Sequence, residues 1–209
     1  MGKIKRWEVV KNVYEIINEI RAYAKEEKVP IMMDDGLKFL IEYIAKNKIQ
    51  SVLEIGTAIG YSSIMMALSN PSITITTIER DEKRYLEALK NIKKLKLEDR
   101  ITLIFNDALD VSLSEKYDLI FIDAAKAQSI KFFEKFEKNL NPSGTIITDN
   151  LKFHGLVDKD EEEIESRNLR ALVRKIKEYI SFLKGNINYK TDFYELGDGI
   201  SVSKRIEEK

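Results

Sequence analysis

Asp123, Lys126, Asp149 and Asn150 are the residues of this 209-residue chain best suited to chemistry, because each falls where an apolar, strand-like run gives way to polar side chains. YDLIFID ends in Asp123 and GTIITDN ends in Asp149 and Asn150. Hard oxygen donors therefore close two short β-branched runs of the kind that a parallel sheet buries. Ligands of such sheets bind beyond the carboxyl ends of the strands, which draws these side chains toward one crevice and points to a divalent metal. Lys126 follows Asp123 by three residues, a cation close by in sequence.

Upstream, Glu54-Ile55-Gly56-Thr57-Ala58-Ile59-Gly60-Tyr61-Ser62 closes another strand-like run with a glycine-rich turn. Glycine lets the backbone turn sharply and a ligand come close. The spacing is G-x-x-x-G rather than the G-x-G-x-x-G that admits a pyrophosphate, so a cofactor without phosphates is expected. Glu54 would repel a phosphate but can accept hydrogen bonds from an ammonium group, which favours S-adenosylmethionine. Glu79 ends the next strand 25 residues further on, where a carboxylate can hold both ribose hydroxyls. Asp107, in the FNDAL turn, can reach an adenine amine, and it reads equally well as a capping aspartate.

The elements that must hold these residues are legible in the hydrophobic spacing. Residues 8–27 carry apolar residues at helical intervals, Pro30 breaks that pattern, and Asp34 or Asp35 can cap a second helix. From Ser51 onward, short strand-like runs alternate with helical patterns, which implies right-handed crossovers and a mainly parallel sheet. The expected fold is an α/β three-layer, Rossmann-like sandwich with a seven-stranded sheet. Gly197-Asp198-Gly199 separates two last strands as a hairpin turn and should add an antiparallel strand at the edge. One domain spanning 1–209 is expected, with helices over 1–50 and the α/β core over 51–209.

Composition narrows the chemistry further. Lysine plus arginine equals aspartate plus glutamate at 35 each, so no global basic field announces nucleic acid. The absence of cysteine excludes disulfides, thiolate metal sites and thiol nucleophiles, and the single histidine excludes a multi-histidine site. That histidine, His154, reads first as a loop residue. No apolar run approaches the ~20 residues of a membrane span, so a cytoplasmic protein without membrane partners is expected.

The ordered motifs KVPIM, LEIGTAIGYS, TIERDEKR, DALD, YDLIFIDAAKAQ, GTIITDNLKFHGLV and GDGISVSK resemble those of the metal-dependent, catechol O-methyltransferase-like S-adenosylmethionine methyltransferases. Within that family they are most similar to the branch that methylates 5-hydroxyuridine at the wobble position of transfer RNA. The resemblance implies that Asp123, Asp149 and Asn150 bind magnesium or another hard divalent cation. It implies cofactor contacts from Met32, Gly56, Ser62, Glu79, Asp107, Ala108 and Asp123, beside the Glu54 contact inferred above. It further implies that Lys126 is the catalytic base and that the chain forms a homodimer. Ala124 and Ala125 stand where catechol enzymes carry bulky aromatic residues.

A transfer RNA acceptor needs a local basic surface on a chain of zero net charge. Arg167, Arg170, Arg174 and Lys177 are spaced three, four and three residues apart and form one cationic stripe on a helix. The ordinary alternative is a solvated face balanced by the acidic run DEEEIE. A small catechol or phenol is the other acceptor, and a non-catalytic nucleoside- or RNA-binding module is a third reading.

Overall fold

The computed structural model describes residues 6–206; residues 1–5 and 207–209 of the expected 1–209 domain lie outside the described residues. Two helices come first, α1 (Arg6–Glu26) and α2 (Asp34–Lys46). Then β1 (Ser51–Ile55), α3 (Tyr61–Ser69), β2 (Thr74–Glu79), α4 (Glu82–Lys94), β3 (Ile101–Phe105) and β4 (Tyr117–Ile122) alternate. They are followed by α5 (Ser129–Phe136), β5 (Leu140–Thr148), α6 (Arg167–Gly185), β6 (Tyr189–Tyr194) and β7 (Ile200–Arg205). The seven strands form one sheet in the order β3-β2-β1-β4-β5-β7-β6.

Side chains along the central strands alternate between two covered faces, so these strands are mainly apolar. Leu119 and Phe121 of β4 pack with Leu40 and Ile44 of α2 and Ile64 of α3 on one face. Ile120 and Ile122 pack with Phe132, Phe133 and Tyr179 on the other. Both faces are covered by helices, so each strand residue must be apolar or bonded within the protein. Five strands run parallel, β7 is antiparallel to β5, and β6 is antiparallel to β7, so the reversed strand lies inside the sheet. The expected C-terminal hairpin is present at that edge: β7 pairs antiparallel with β5, and β6 completes the sheet beyond it.

The α2 cap also differs from expectation. Met33 occupies the cap position without a side-chain cap bond. Asp34 pairs with Arg21 instead, while Asp35 accepts from the backbone N–H groups of Gly36 and Gly197, each at 2.9 Å. Those two donors, the Gly197 N–H first, hold the Asp35 carboxyl below the usual range. Asp35 therefore fastens the turn between β6 and β7 to the start of α2. Among the described residues no helix is long and apolar enough to cross a membrane.

Candidate active site

The strand order reverses between β1 and β4, and a cleft of about 690 Å³ opens at the carboxyl ends of these strands. That is where a parallel α/β sheet offers a crevice. The backbone N–H of Asp123 bonds to the carbonyl of Ile55 at 3.0 Å, and that of Asp149 bonds to Ile122 at 3.2 Å. The ends of β1, β4 and β5 are thereby held side by side. Met32, Gly56, Ser62, Glu79, Asp107, Ala108, Asp123, Lys126 and Asn150 all line the cleft.

Gly56 shows why this geometry needs glycine. Its φ of +101° is a left-handed value, and a Cβ there would lie 2.6 Å from the Asp123 carbonyl oxygen. The close approach is thus between two strand ends of the protein itself. Gly60 caps α3 at φ 84° and turns the first helical residues, Tyr61 and Ser62, toward the cleft. Tyr61, which sequence reasoning passed over, is held by a hydrogen bond from Arg21 Nε at 2.8 Å.

Glu54 is placed differently from expectation. It is fully buried and has no surface in the cleft. Its carboxylate accepts from the hydroxyls of Ser62, Ser63 and Thr77. Burial pushes this carboxyl up, against the opposing pull of the three hydroxyls. A carboxylate saturated in this way organises the turn and presents Ser62 to the cleft, rather than meeting an ammonium group itself. Glu79 is also buried but does line the cleft, with its oxygens accepting from the N–H groups of Ala58, Arg80 and Asp81 at 2.8–2.9 Å. Asp107 accepts from the Leu109 N–H and pairs with Arg80 at 3.0 Å, and these contacts hold its carboxyl low, the Leu109 bond first.

Asp123, Asp149 and Asn150 lie together at the ends of β4 and β5, with Asp123 and Asn150 on the cleft and Asp149 buried outside its lining. The Asn150 side-chain amide donates to Asp123 Oδ1 at 2.6 Å, and its backbone N–H donates to Asp149 Oδ1 at 2.7 Å. Asn150 takes a left-handed φ of 68°, a conformation asparagine tolerates better than most residues and one that concentrates at functional sites. Burial raises both carboxyls: Asp123 well above its usual range, with Asp149 adding to the effect, and Asp149 to about 6. Two buried carboxylates this close are short of positive charge, and Lys126 offsets only part of the deficit. Two carboxylates and an amide oxygen form a donor set that suits a hard divalent cation.

Lys126 opens the short turn leading into α5 and lies 5.5 Å over the ring of Phe153. Phe153 and Leu172 also line the cleft and were missed in the sequence, where an aromatic loop residue and one leucine of an amphipathic helix carry no distinguishing signal. The cationic stripe behaves differently. Arg170 donates to the Ile164 carbonyl at 2.7 Å, Arg174 lies 3.8 Å from Glu161, and Lys177 donates to the Lys159 carbonyl at 3.4 Å. Three of the four cations thus hold the acidic segment against α6, and none of the four lines the cleft. Arg167 is exposed and has no polar side-chain partner among the described residues.

The sheet order, the cleft at the β1–β4 reversal and the glycine turn beneath it define a Rossmann-like methyltransferase. Residues 7–206 match the O-methyltransferase family model, and the chain belongs to that family of S-adenosylmethionine-dependent O-methyltransferases of the caffeoyl-CoA type. A caffeoyl-CoA O-methyltransferase from Populus kitakamiensis is 26% identical over 206 residues, covering 92% of this chain and 87% of its own. The crystal structure of a Staphylococcus aureus protein, provisionally named caffeoyl-CoA O-methyltransferase, is 38% identical with a TM-score of 0.86, covering 90% of this chain and 91% of that one. An O-methyltransferase from Bacillus cereus in complex with SAH is 25% identical with a TM-score of 0.77, covering 92% and 91%.

Proposed function

We propose that the protein transfers the methyl group of S-adenosylmethionine to a hydroxyl on a planar ring that carries a second oxygen next to it, with a divalent cation held by Asp123, Asp149 and Asn150. The observation that carries this reading is the meeting of Asp123 and Asn150 with Lys126 on the cofactor cleft, with the buried Asp149 carboxylate accepting from the Asn150 N–H behind them. When bound, the cation would supply Lewis-acid stabilisation of negative charge on the acceptor. The sulfonium methyl is already electrophilic, so the protein chiefly has to present an anionic oxygen in line with it. Lys126, on the cleft wall, either takes the hydroxyl proton as a neutral amine, becoming the ammonium, or steadies the oxyanion as an ammonium. Ser62 and Glu79 bind the cofactor, and Gly56 keeps Asp123 beside it.

The names of the plant relatives support a small catechol or phenol as acceptor. A second reading, 5-hydroxyuridine in the transfer RNA anticodon, is favoured by the small side chains of Ala124 and Ala125 on the cleft wall, which leave room for a nucleotide. Its hydroxyl beside a carbonyl offers the same pair of oxygens as a catechol. The deciding experiment is incubation with labelled S-adenosylmethionine and magnesium, with either caffeoyl-CoA or hydroxyuridine-containing transfer RNA. Label on caffeoyl-CoA alone assigns the small-molecule reaction, and label on RNA alone assigns the nucleotide. Label on neither, with the cofactor bound, overturns both.

A further inference from the structure

His154 is the only histidine of the chain and it lines the cleft together with Lys126, Asn150 and Phe153. Its side chain is 76% exposed, yet its surroundings are built. Its backbone N–H donates to Asp198 Oδ1, and its ring stacks on Phe153 with centroids 5.7 Å apart. Asp198 sits in the turn between β6 and β7, with its side chain only 6% exposed. The other carboxylate oxygen, Oδ2, is buried without a hydrogen-bond partner and lies 3.7 Å from His154 Nδ1. A buried carboxylate oxygen lacking a donor is costly, and a ring N–H one small rotation away would satisfy it.

The turn is held firmly in place for this purpose. The Asp198 and Gly199 carbonyls accept from the N–H groups of Lys152 and Leu151 at 2.6 and 2.9 Å, and Gly197 donates to Asp35. Phe153 and His154 adopt left-handed φ values of 45° and 56°, a strained conformation for a bulky residue such as Phe153, and these contacts help to hold the segment in that shape.

We propose that Asp198 and His154 form an acceptor-recognition pair, in which Asp198 takes the Nδ1 proton of the ring and leaves Nε2 as a hydrogen-bond acceptor for an N–H or O–H group of the methyl acceptor. Fixing one imidazole nitrogen determines which tautomer the other displays. Asp198 is the positioning residue, and His154 contacts the acceptor. The second half of the proposal rests on the O-methyl transfer reading above; the first half does not.

The single histidine makes the test direct. Protein labelled with ¹⁵N-histidine, observed by long-range ¹H–¹⁵N correlation where the ring is neutral, should carry its proton on Nδ1, and Asp198→Asn should move it to Nε2. A native ring protonated on Nε2, or a tautomer indifferent to Asp198→Asn, overturns the pair. Should Asp198→Asn fail to fold, the native spectrum alone still decides. Turnover supplies the second arm, with caffeoyl-CoA and hydroxyuridine transfer RNA as acceptors. His154→Ala should raise the acceptor KM about tenfold, the worth of one hydrogen bond, with cofactor affinity unchanged and partial rescue by His154→Gln. Asp198→Asn should add nothing in the His154→Ala background. An acceptor KM within twofold of native in His154→Ala, or additive effects, overturns the acceptor contact. If native protein methylates neither acceptor, the O-methyl reading and this contact fail with it, whereas the tautomer still settles the pair.

Discussion

The Asn150 amide reaches across 2.6 Å to Asp123 Oδ1 and ties the end of β5 to the end of β4. A side-chain bond between strand ends keeps two buried carboxylates, Asp123 and Asp149, at one point although their charges repel.

Burial of the Asp149 carboxyl gives a pH dependence with a defined sign. Burial raises the Asp149 carboxyl to about 6 in the folded protein, above the ordinary ~3.9 of an unfolded chain. The native state therefore binds the proton more tightly, and this contribution to stability is complete below about pH 4 and is lost as pH rises through about 6. A cation that binds the ionised form should reverse the loss. Magnesium is expected to raise the melting temperature at pH 7.5 and to lose most of that effect below pH 5, at matched ionic strength. A shift of equal size at both pH values would contradict the assignment.

Gly56→Ala should be severe. A Cβ placed 2.6 Å from the Asp123 carbonyl, on a backbone at φ +101°, forces apart the strand ends that carry the site. A loss of about 2–4 kcal/mol in chemical denaturation and weaker S-adenosylmethionine binding by calorimetry are expected. Gly185→Ala, where the added Cβ meets nothing within 4 Å, serves as the mild control.

Lys126→Ala removes the cation nearest the paired carboxylates without touching the glycine turn. Turnover is expected to fall about 10²–10⁴-fold, the usual worth of a positioned acid–base group, with cofactor affinity within twofold of native. Single-turnover kinetics separate the two quantities, and undiminished turnover would remove Lys126 from the reaction.

The cationic face of α6 separates into structural and free members. Arg170 and Arg174 hold the segment around Glu161 and Ile164, so Arg170→Ala should speed amide hydrogen exchange in that segment. Arg167→Glu disturbs no described contact. If transfer RNA is the acceptor, it should lower RNA methylation several-fold at low salt and spare caffeoyl-CoA. Equal loss on both acceptors would argue for a structural role instead.

Much of this site was legible in the sequence, because a parallel sheet buried on both faces concentrates its ligand-facing polar residues at strand ends. Asp123, Asp149 and Glu79 stand out for that reason, and their order along the chain matches the sheet. Side-chain direction was not legible. Glu54 sits one residue inside the end of β1, and only the hydroxyls of Ser62, Ser63 and Thr77 reveal that it faces inward. Helical spacing placed the α6 cations on one face but could not disclose that the acidic segment folds back onto them. Asp35 and Asp198 were hidden more deeply, since their partners lie 162 and 44 residues away in sequence.

Because β7 enters the sheet between β5 and β6, the strand that supplies Asp149 keeps an open edge until β7 arrives. The turn preceding β7 also secures the loop that follows Asn150. One hairpin, the last segment of the fold, thus braces both sides of the cleft: Gly197 holds Asp35 at the start of α2, and Asp198 and Gly199 hold the loop after Asn150.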